Sequence, residues 1–285
     1  MGKLDELFGK LSESMGGDSK SDLERLESIE EFLSSGDFEA ALRELERIKK
    51  EENLYVGAVI FVRTLVNPPD DLPLNGSIAL EYLTRLLPII NGIENWRYRA
   101  LALSEVAMAF YLLGDEFNGD LALKSALNLG KVAGDDVLSS MLRELIKREL
   151  IEKAAHAFSL VRDRKRIDFL LSQLVEVLYL SGELEKADAA LSHIQDPFYK
   201  AIALYNLALV EAGRDKNAAL AFVENAIKFA EEIENKNARI ELLIKLGDLK
   251  AQLAGKGISL AELILRPSPS ELSEHGEHAD DENQD

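Results

Sequence analysis

The side chains able to do chemistry are few in this chain of 285 residues, and their spacing gathers none of them into a reactive set. The absence of cysteine removes disulfides, thiol catalysis and thiolate-held zinc. His156 stands among Ala154, Ala155, Ala157 and Phe158, and His193 falls near a helix end, so both read as packing or surface residues. His275 and His278, beside Glu274 and Glu277, have spacing that would hold a divalent metal weakly. A solvated acidic tail is the simpler reading of that stretch. Met15-Gly16-Gly17 lacks the strand, the lysine and the spacing of a phosphate cradle. The acids Glu231, Glu232 and Glu234 read as an exposed helix face. The expectation is therefore a non-enzyme that needs no cofactor and no metal.

Charge adds one local feature. The balance of 33 basic to 51 acidic residues gives a net charge of −18, which argues against a protein that coats nucleic acid or anionic membrane. Against that average, Arg143, Lys147, Arg148, Lys153, Arg162, Arg164, Lys165 and Arg166 fall close together. Ion pairs with Glu144, Glu149, Glu152, Asp163 and Asp168 would make this a solvated face. A strip for an acidic peptide or a nucleic-acid backbone is the sharper alternative, with Trp96-Arg97-Tyr98-Arg99 adding stacking. Trp96 is otherwise expected to close the preceding hairpin.

These residues must be positioned by helices. Hydrophobic residues make up 47% of the chain and prolines number only seven, while Ala, Leu, Glu and Lys dominate, so the class is all-α. Few glutamines beside abundant Glu and Lys suit a heat-adapted protein. No signal-peptide pattern opens the chain and no apolar run reaches the ~20 residues of a membrane span, so a cytoplasmic protein without a membrane role is expected.

A seven-point pattern is laid three times along the middle of the chain. Leu103, Val106, Ala107 and Phe110 mark one helix, and Gly119, Leu123 and Ala126 the next. The same points recur at Leu138, Met141, Leu142, Leu145, Ala154, Phe158 and Val161, and at Leu171, Leu174, Val175, Leu178, Ala187, Leu191 and Ile194. Each point shifts by 35 and then 33 residues, the period of helix–turn–helix units stacked into a solenoid.

The remaining units follow from their breakers. Asp22–Ser34 pairs with Asp37–Lys50 around Ser35-Gly36, and Ala40 and Ala41 permit close approach. Tyr55–Val66 is apolar all round and reads as a buried helix, and after the loop Asn67–Gly76 with its three prolines comes Ser77–Asn91. Three units then span Asn95–Val132, Asp135–Arg162 and Lys165–Ile194. A sixth pairs Pro197–Ala212 with Lys216–Glu234, and a seventh starts at Lys236 and shortens to Ile258–Leu265. Residues 1–20 hold an amphipathic stripe (Leu4, Leu7, Phe8, Leu11) and a linker, 21–265 the helical repeats, and 266–285 a tail with seven acids against one arginine. That tail is expected to be disordered and solubilising, with screening of the basic strip, at roughly 25 Å of reach, as the alternative.

Large apolar residues in the first helix, Gly-Asp at the turn, and Ala early in the second helix make this pattern resemble the tetratricopeptide repeat. Ser35-Gly36-Asp37-Phe38 with Ala41, and Ser181-Gly182-Glu183-Leu184 with Ala187, carry the resemblance best. It implies a right-handed α-solenoid of about seven TPR-like hairpins whose first helices line a concave face. By the same resemblance that face presents Ser104, Met108 and Tyr111, then Ser139, Arg143 and Lys147, then Phe169, Ser172, Glu176 and Tyr179. Tyr111, Arg143, Lys147, Phe169, Glu176 and Tyr179 are the expected contacts for a protein or peptide, with packing between hairpins the alternative for Tyr111 and Tyr179. Ser104 and Met108 stand where the family's two-carboxylate clamp would need Lys and Asn, which disfavours a receptor for acidic C-termini. The expected function is an interaction scaffold or adaptor, the alternative a helical-repeat nucleic-acid binder using Arg143–Arg166. A homo-oligomer is compatible with either.

Overall fold

The computed structural model describes residues 21–69, 72 and 74–255. The N-terminal stripe, the short helix expected after Gly257 and the acidic tail lie outside the described residues. Among those described there are thirteen α-helices and no strand. We number them α1 (Asp22–Ser35), α2 (Phe38–Leu45), α3 (Glu51–Val66), α4 (Gly76–Asn91), α5 (Trp96–Leu112), α6 (Glu116–Ala133) and α7 (Asp135–Lys147). They continue as α8 (Ile151–Phe158), α9 (Arg164–Leu180), α10 (Leu184–His193), α11 (Pro197–Glu211), α12 (Lys216–Glu231) and α13 (Lys236–Ala254). No described helix is long and apolar enough to cross a membrane.

The chain divides into two compact units, Met1–Val137 and Leu138–Asp285. In the first, α1 packs on α2, α3 on α4 and α5 on α6, while α1, α3 and α5 also pack on one another in succession. Helix starts are set locally: Ser21 and Glu24 form a reciprocal capping box on α1, and Asp37 caps α2 by accepting from the Ala40 amide at 2.9 Å. The segment from Tyr55 to Val66 is helical, as expected. It buries one face through Gly57, Ala58, Phe61, Val62 and Leu65 and leaves Val56 exposed. Phe38, Phe61 and Tyr82 meet edge to face or tilted between the first two hairpins. Helix α5 is buried on every side from Ala102 to Phe110, including Glu105, whose carboxylate takes the Arg63 guanidinium at 3.0 Å.

In the second unit α9 packs on α10, α11 on α12 and α12 on α13, and α9, α11 and α13 form the succession of first helices. One core cluster joins Val175, Leu178, Ala187, Ala190 and Ile194 of a hairpin to Ala203 and Leu207 of the next helix. A second is built from α11, α12 and α13 around Leu204, Val223, Ile227, Leu242 and Leu246. None of the residues of the seven-point pattern is exposed, and only Leu171, Leu174, Phe158 and Leu191 fall short of full burial.

The turns repeat at the level of single hydrogen bonds. Asp37, Asp115, Leu150 and Glu183 each donate their amide to the carbonyl five residues back, on Phe32, Phe110, Leu145 and Leu178. The preceding residue donates to the carbonyl three back, which completes a Schellman cap. That residue is left-handed in all four turns: Gly36 at φ 81°, Gly114 at 83°, Glu149 at 59° and Gly182 at 78°. Glu149 therefore occupies a glycine position, 35 residues after Gly114 and 33 before Gly182. Its Cβ strain in the left-handed region leads us to expect that Glu149→Gly stabilises the chain by about 1 kcal/mol. A urea midpoint below that of wild type would contradict a left-handed residue there.

A second recurring device joins successive hairpins. A carboxylate on one first helix accepts the two amides that open the next: Asp22 from Lys49 and Lys50 at 3.1 and 2.8 Å, and Glu51 from Glu94 and Asn95. Asp168 does the same for Gln195 and Asp196 at 3.3 and 2.9 Å. These are orphan donors at a helix N-terminus, and the acid satisfies them from outside the helix. The device also explains why α2 stops at Leu45 instead of running to Lys50, since the amides of Lys49 and Lys50 are turned toward Asp22. Burial raises the Asp22 carboxyl, but the amides of Lys50 and Lys49 and the Asn53 side chain outweigh it and hold the group below its ordinary 3.8. A depressed carboxyl stabilises the fold above its unfolded value and loses that contribution as pH falls through the folded one. The stability deficit of Asp22→Asn should therefore be full at pH 7 and vanish in denaturation curves taken progressively below pH 3.8.

Candidate functional site

At the start of α9, Asp163 caps the helix by accepting from the amides of Lys165 and Arg166 at 3.0 and 3.4 Å, and its carboxylate also pairs with the Arg166 guanidinium. One residue into the helix, Arg164 donates to Asp168 at 2.7 Å and to the His193 carbonyl. Asp168 is buried and also holds the amides of Gln195 and Asp196. The Arg164–Asp168 pair thus pins the connection between α10 and α11 to the start of α9.

From that fixed point the chain enters α11 through Asp196, which caps it, and Pro197, whose locked φ suits the first helical position. Phe198 and Tyr199 follow. The Tyr199 ring meets Phe169 of α9 at 6.0 Å and Phe198 at 5.3 Å, both edge to face. Across from them the chain leaves α12 through Glu232, buried Ile233 and Glu234, and Asn235 caps α13. These three helix starts enclose a groove of about 690 Å³ within the second unit. Its floor is Pro197, Phe198, Tyr199, Ile233 and Ala238, its rim carries Arg164, Lys165, Asp196, Glu232 and Glu234, and buried Asp168 lies in its wall. The volume is that of a small-ligand pocket, and an apolar floor under a polar rim is the usual composition of a binding site. The Tyr199 hydroxyl is pushed above its ordinary pKa by burial and by Asp196, Asp163 and Asp168.

Of the six residues expected to contact a ligand, Phe169, Glu176 and Tyr179 lie together on α9 and all turn toward α11. Glu176 accepts from Asn206 at 2.9 Å. Tyr179 donates to Glu211 at 3.1 Å and meets Phe222 edge to face, which is the packing alternative between hairpins. Phe169 alone supports the groove, through Tyr199. Tyr111 packs inside its own hairpin, donating to Asp120 at 2.7 Å, and a Cβ at Gly119 would meet its ring at 2.6 Å. Burial first, and Asp120 second, raise the Tyr111 hydroxyl far above its ordinary value. Arg143 and Lys147 both flank Glu144, at 3.8 and 3.3 Å.

Four positions expected on a ligand face are instead covered. Ser104 is 2% exposed, Met108 1%, Ser139 7% and Ser172 2%. The cause in α5 is its burial on all sides, and in α9 the Ser172 hydroxyl turns back to the Phe169 carbonyl at 2.6 Å. Trp96 does not seal a hairpin: it is half exposed and lines a shallow pocket with Glu94, Asn95, Arg97 and Ala133.

The basic strip is locally compensated at Lys147, Arg164 and Arg166, each paired with an acid within one helical turn, and Arg143 lies 3.8 Å from Glu144. His156 is exposed, and His193 Nδ1 lies 2.7 Å from the Ala189 carbonyl oxygen. Among the described residues no group of three or more His, Asp or Glu side chains is placed to hold a metal. The sequence reading missed Phe198, Tyr199, Glu232 and Glu234 as site residues. A signal was present in Asp196-Pro197, a helix start followed by two aromatics, but the acids across from it are 33 or more residues away and read alone as a solvated face. In comparison with known proteins the chain matches no family model, and no curated protein matches its sequence.

Proposed function

We propose that the chain is a cytoplasmic, right-handed tetratricopeptide-like α-solenoid that acts without catalysis, holding a protein or peptide at the groove between α9, α11 and α13. The carrying observation is that groove: aromatic and aliphatic side chains form an open floor where three successive first helices begin. Such a floor suits a side chain of a partner, as aromatic anchors do at interfaces. The succession of first helices in each unit and the recurring Schellman turns support the solenoid reading.

A photoreactive benzoylphenylalanine at Gln195, on the groove rim, tests the reading. Crosslinking in a lysate of the source organism should yield polypeptide adducts that are absent when the same residue is placed at Lys216, at the opposite end of α12. Adducts to nucleic acid, or equal yields from both positions, would overturn it.

A further inference from the structure

The groove at the starts of α9, α11 and α13 carries a charge pattern that selects among partners, an inference that rests on the interaction reading above. Four carboxylates line it: Asp168, Asp196, Glu232 and Glu234. Two cations, Arg164 and Lys165, stand among them, but Arg164 is spent on Asp168 and the His193 carbonyl. With that pair set aside, Asp196, Glu232 and Glu234 outnumber Lys165 in the lining. The Tyr199 hydroxyl is shifted upward first by burial and then by Asp196, Asp163 and Asp168, against Arg166. The whole chain reinforces the negative excess of the lining with its net charge of −18.

The helix starts do not reverse this sign. Asp163 already takes the amides of Lys165 and Arg166, Asp196 that of Phe198, Asn235 those of Asn237 and Ala238, and Asp168 those of Gln195 and Asp196. An acidic segment entering the groove would meet Asp196, Glu232 and Glu234, with Lys165 alone among the lining cations left to compensate three carboxylates. A cationic one would neutralise the rim, and an apolar side chain next to the cation would cover Phe198 and Tyr199.

We propose that the occupant of this groove is a polypeptide segment in which Lys or Arg alternates with apolar residues. Its cation sits between Glu232, Glu234 and Asp196, and its apolar side chain lies on Phe198, Tyr199 and Ile233. This is the opposite charge preference from the one the basic strip suggests in the sequence.

The probe is a fluorescein-labelled synthetic peptide with three repeats of Arg-Leu-Lys-Phe, titrated into the full-length protein by anisotropy. Its charge-inverted counterpart, three repeats of Glu-Leu-Asp-Phe, is the control. The basic peptide should bind and the acidic one should not. Glu232→Lys with Glu234→Lys should weaken binding roughly tenfold or more, because like charges then face each other. Glu185→Lys with Asp188→Lys makes the same change in net charge on the exposed side of α10, and should leave affinity within about twofold once screening is matched by salt. Thermal melts matching wild type establish that both double variants fold.

Equal weakening by the two double variants would reduce the effect to overall charge and overturn the proposal. So would binding of the acidic peptide as tight as that of the basic one, or displacement of the peptide by spermine at equal concentration, which would make a polyamine the ligand. If Gln195 crosslinks polypeptide while the basic peptide fails to bind, the charge assignment falls and the interaction reading stands. If neither occurs, both fall.

Discussion

Arg25→Met should cost about 3 kcal/mol of unfolding free energy, the low end of what breaking a buried ion pair costs. The Arg25 guanidinium lies 2.7 Å from Glu44 Oε2 between α1 and α2, with the two side chains 3% and 9% exposed. Removing the cation leaves a carboxylate that water barely reaches. The effect sits at the low end because Arg47, itself 55% exposed, approaches the other oxygen of Glu44 at 3.2 Å and retains part of the compensation. Adding Glu44→Met should recover most of the loss, since two apolar side chains of similar length need no partner. Guanidinium denaturation of the single and double variants measures both, and a double variant no more stable than the single one would show that the pair is not the cause. The pair between Glu39 and Arg85 offers a contrast. It is exposed on both sides, so screening leaves its removal with little effect.

That buried pair also marks where the sequence stops being informative. Burial of the repeat is legible because apolar residues recur at fixed points, and none of them is exposed. Arg25 falls on the stripe of Ile29 and Leu33 and Glu44 on that of Ala41 and Ile48, so their spacing marks buried positions, but it does not say that the two charges meet there. The pairing is made by what the second helix brings across, 19 residues away. The groove obeys the same rule. Its aromatic floor is local to Phe198 and Tyr199, but Phe169 comes from α9 and Glu232 and Glu234 from the end of the next hairpin. The ligand face implied by the tetratricopeptide resemblance went astray at Ser104 and Met108 for a related reason. A face that would be free at the end of a stack is covered when the helix lies within it, and α5 is packed on all sides.

Asp168 joins the fold and the groove in one side chain, and its removal should have the second large effect. It is 1% exposed, takes Arg164 at 2.7 Å, and holds the amides of Gln195 and Asp196 at 3.3 and 2.9 Å. Asp168→Ala strips the amides that open α11 of their acceptor and leaves Arg164 bonded to the His193 carbonyl without its counter-ion. Charged hydrogen bonds lost together with partly buried donors left unmet amount to about 2–4 kcal/mol. Asp168→Asn retains one carbonyl oxygen, so it should keep one of the two amide bonds and lose roughly half as much. Hydrogen exchange separates a local role from a general one: the Asp196 amide should exchange faster in Asp168→Ala, while that of Asp37, bonded to Phe32 in the first hairpin, follows only the global change. Uniform acceleration of both amides would mean that Asp168 supports the core at large and does not specifically anchor the α10–α11 connection. A local change would also loosen the wall from which Pro197, Phe198 and Tyr199 are presented, so the same variant should weaken the basic peptide while the groove's glutamates remain in place.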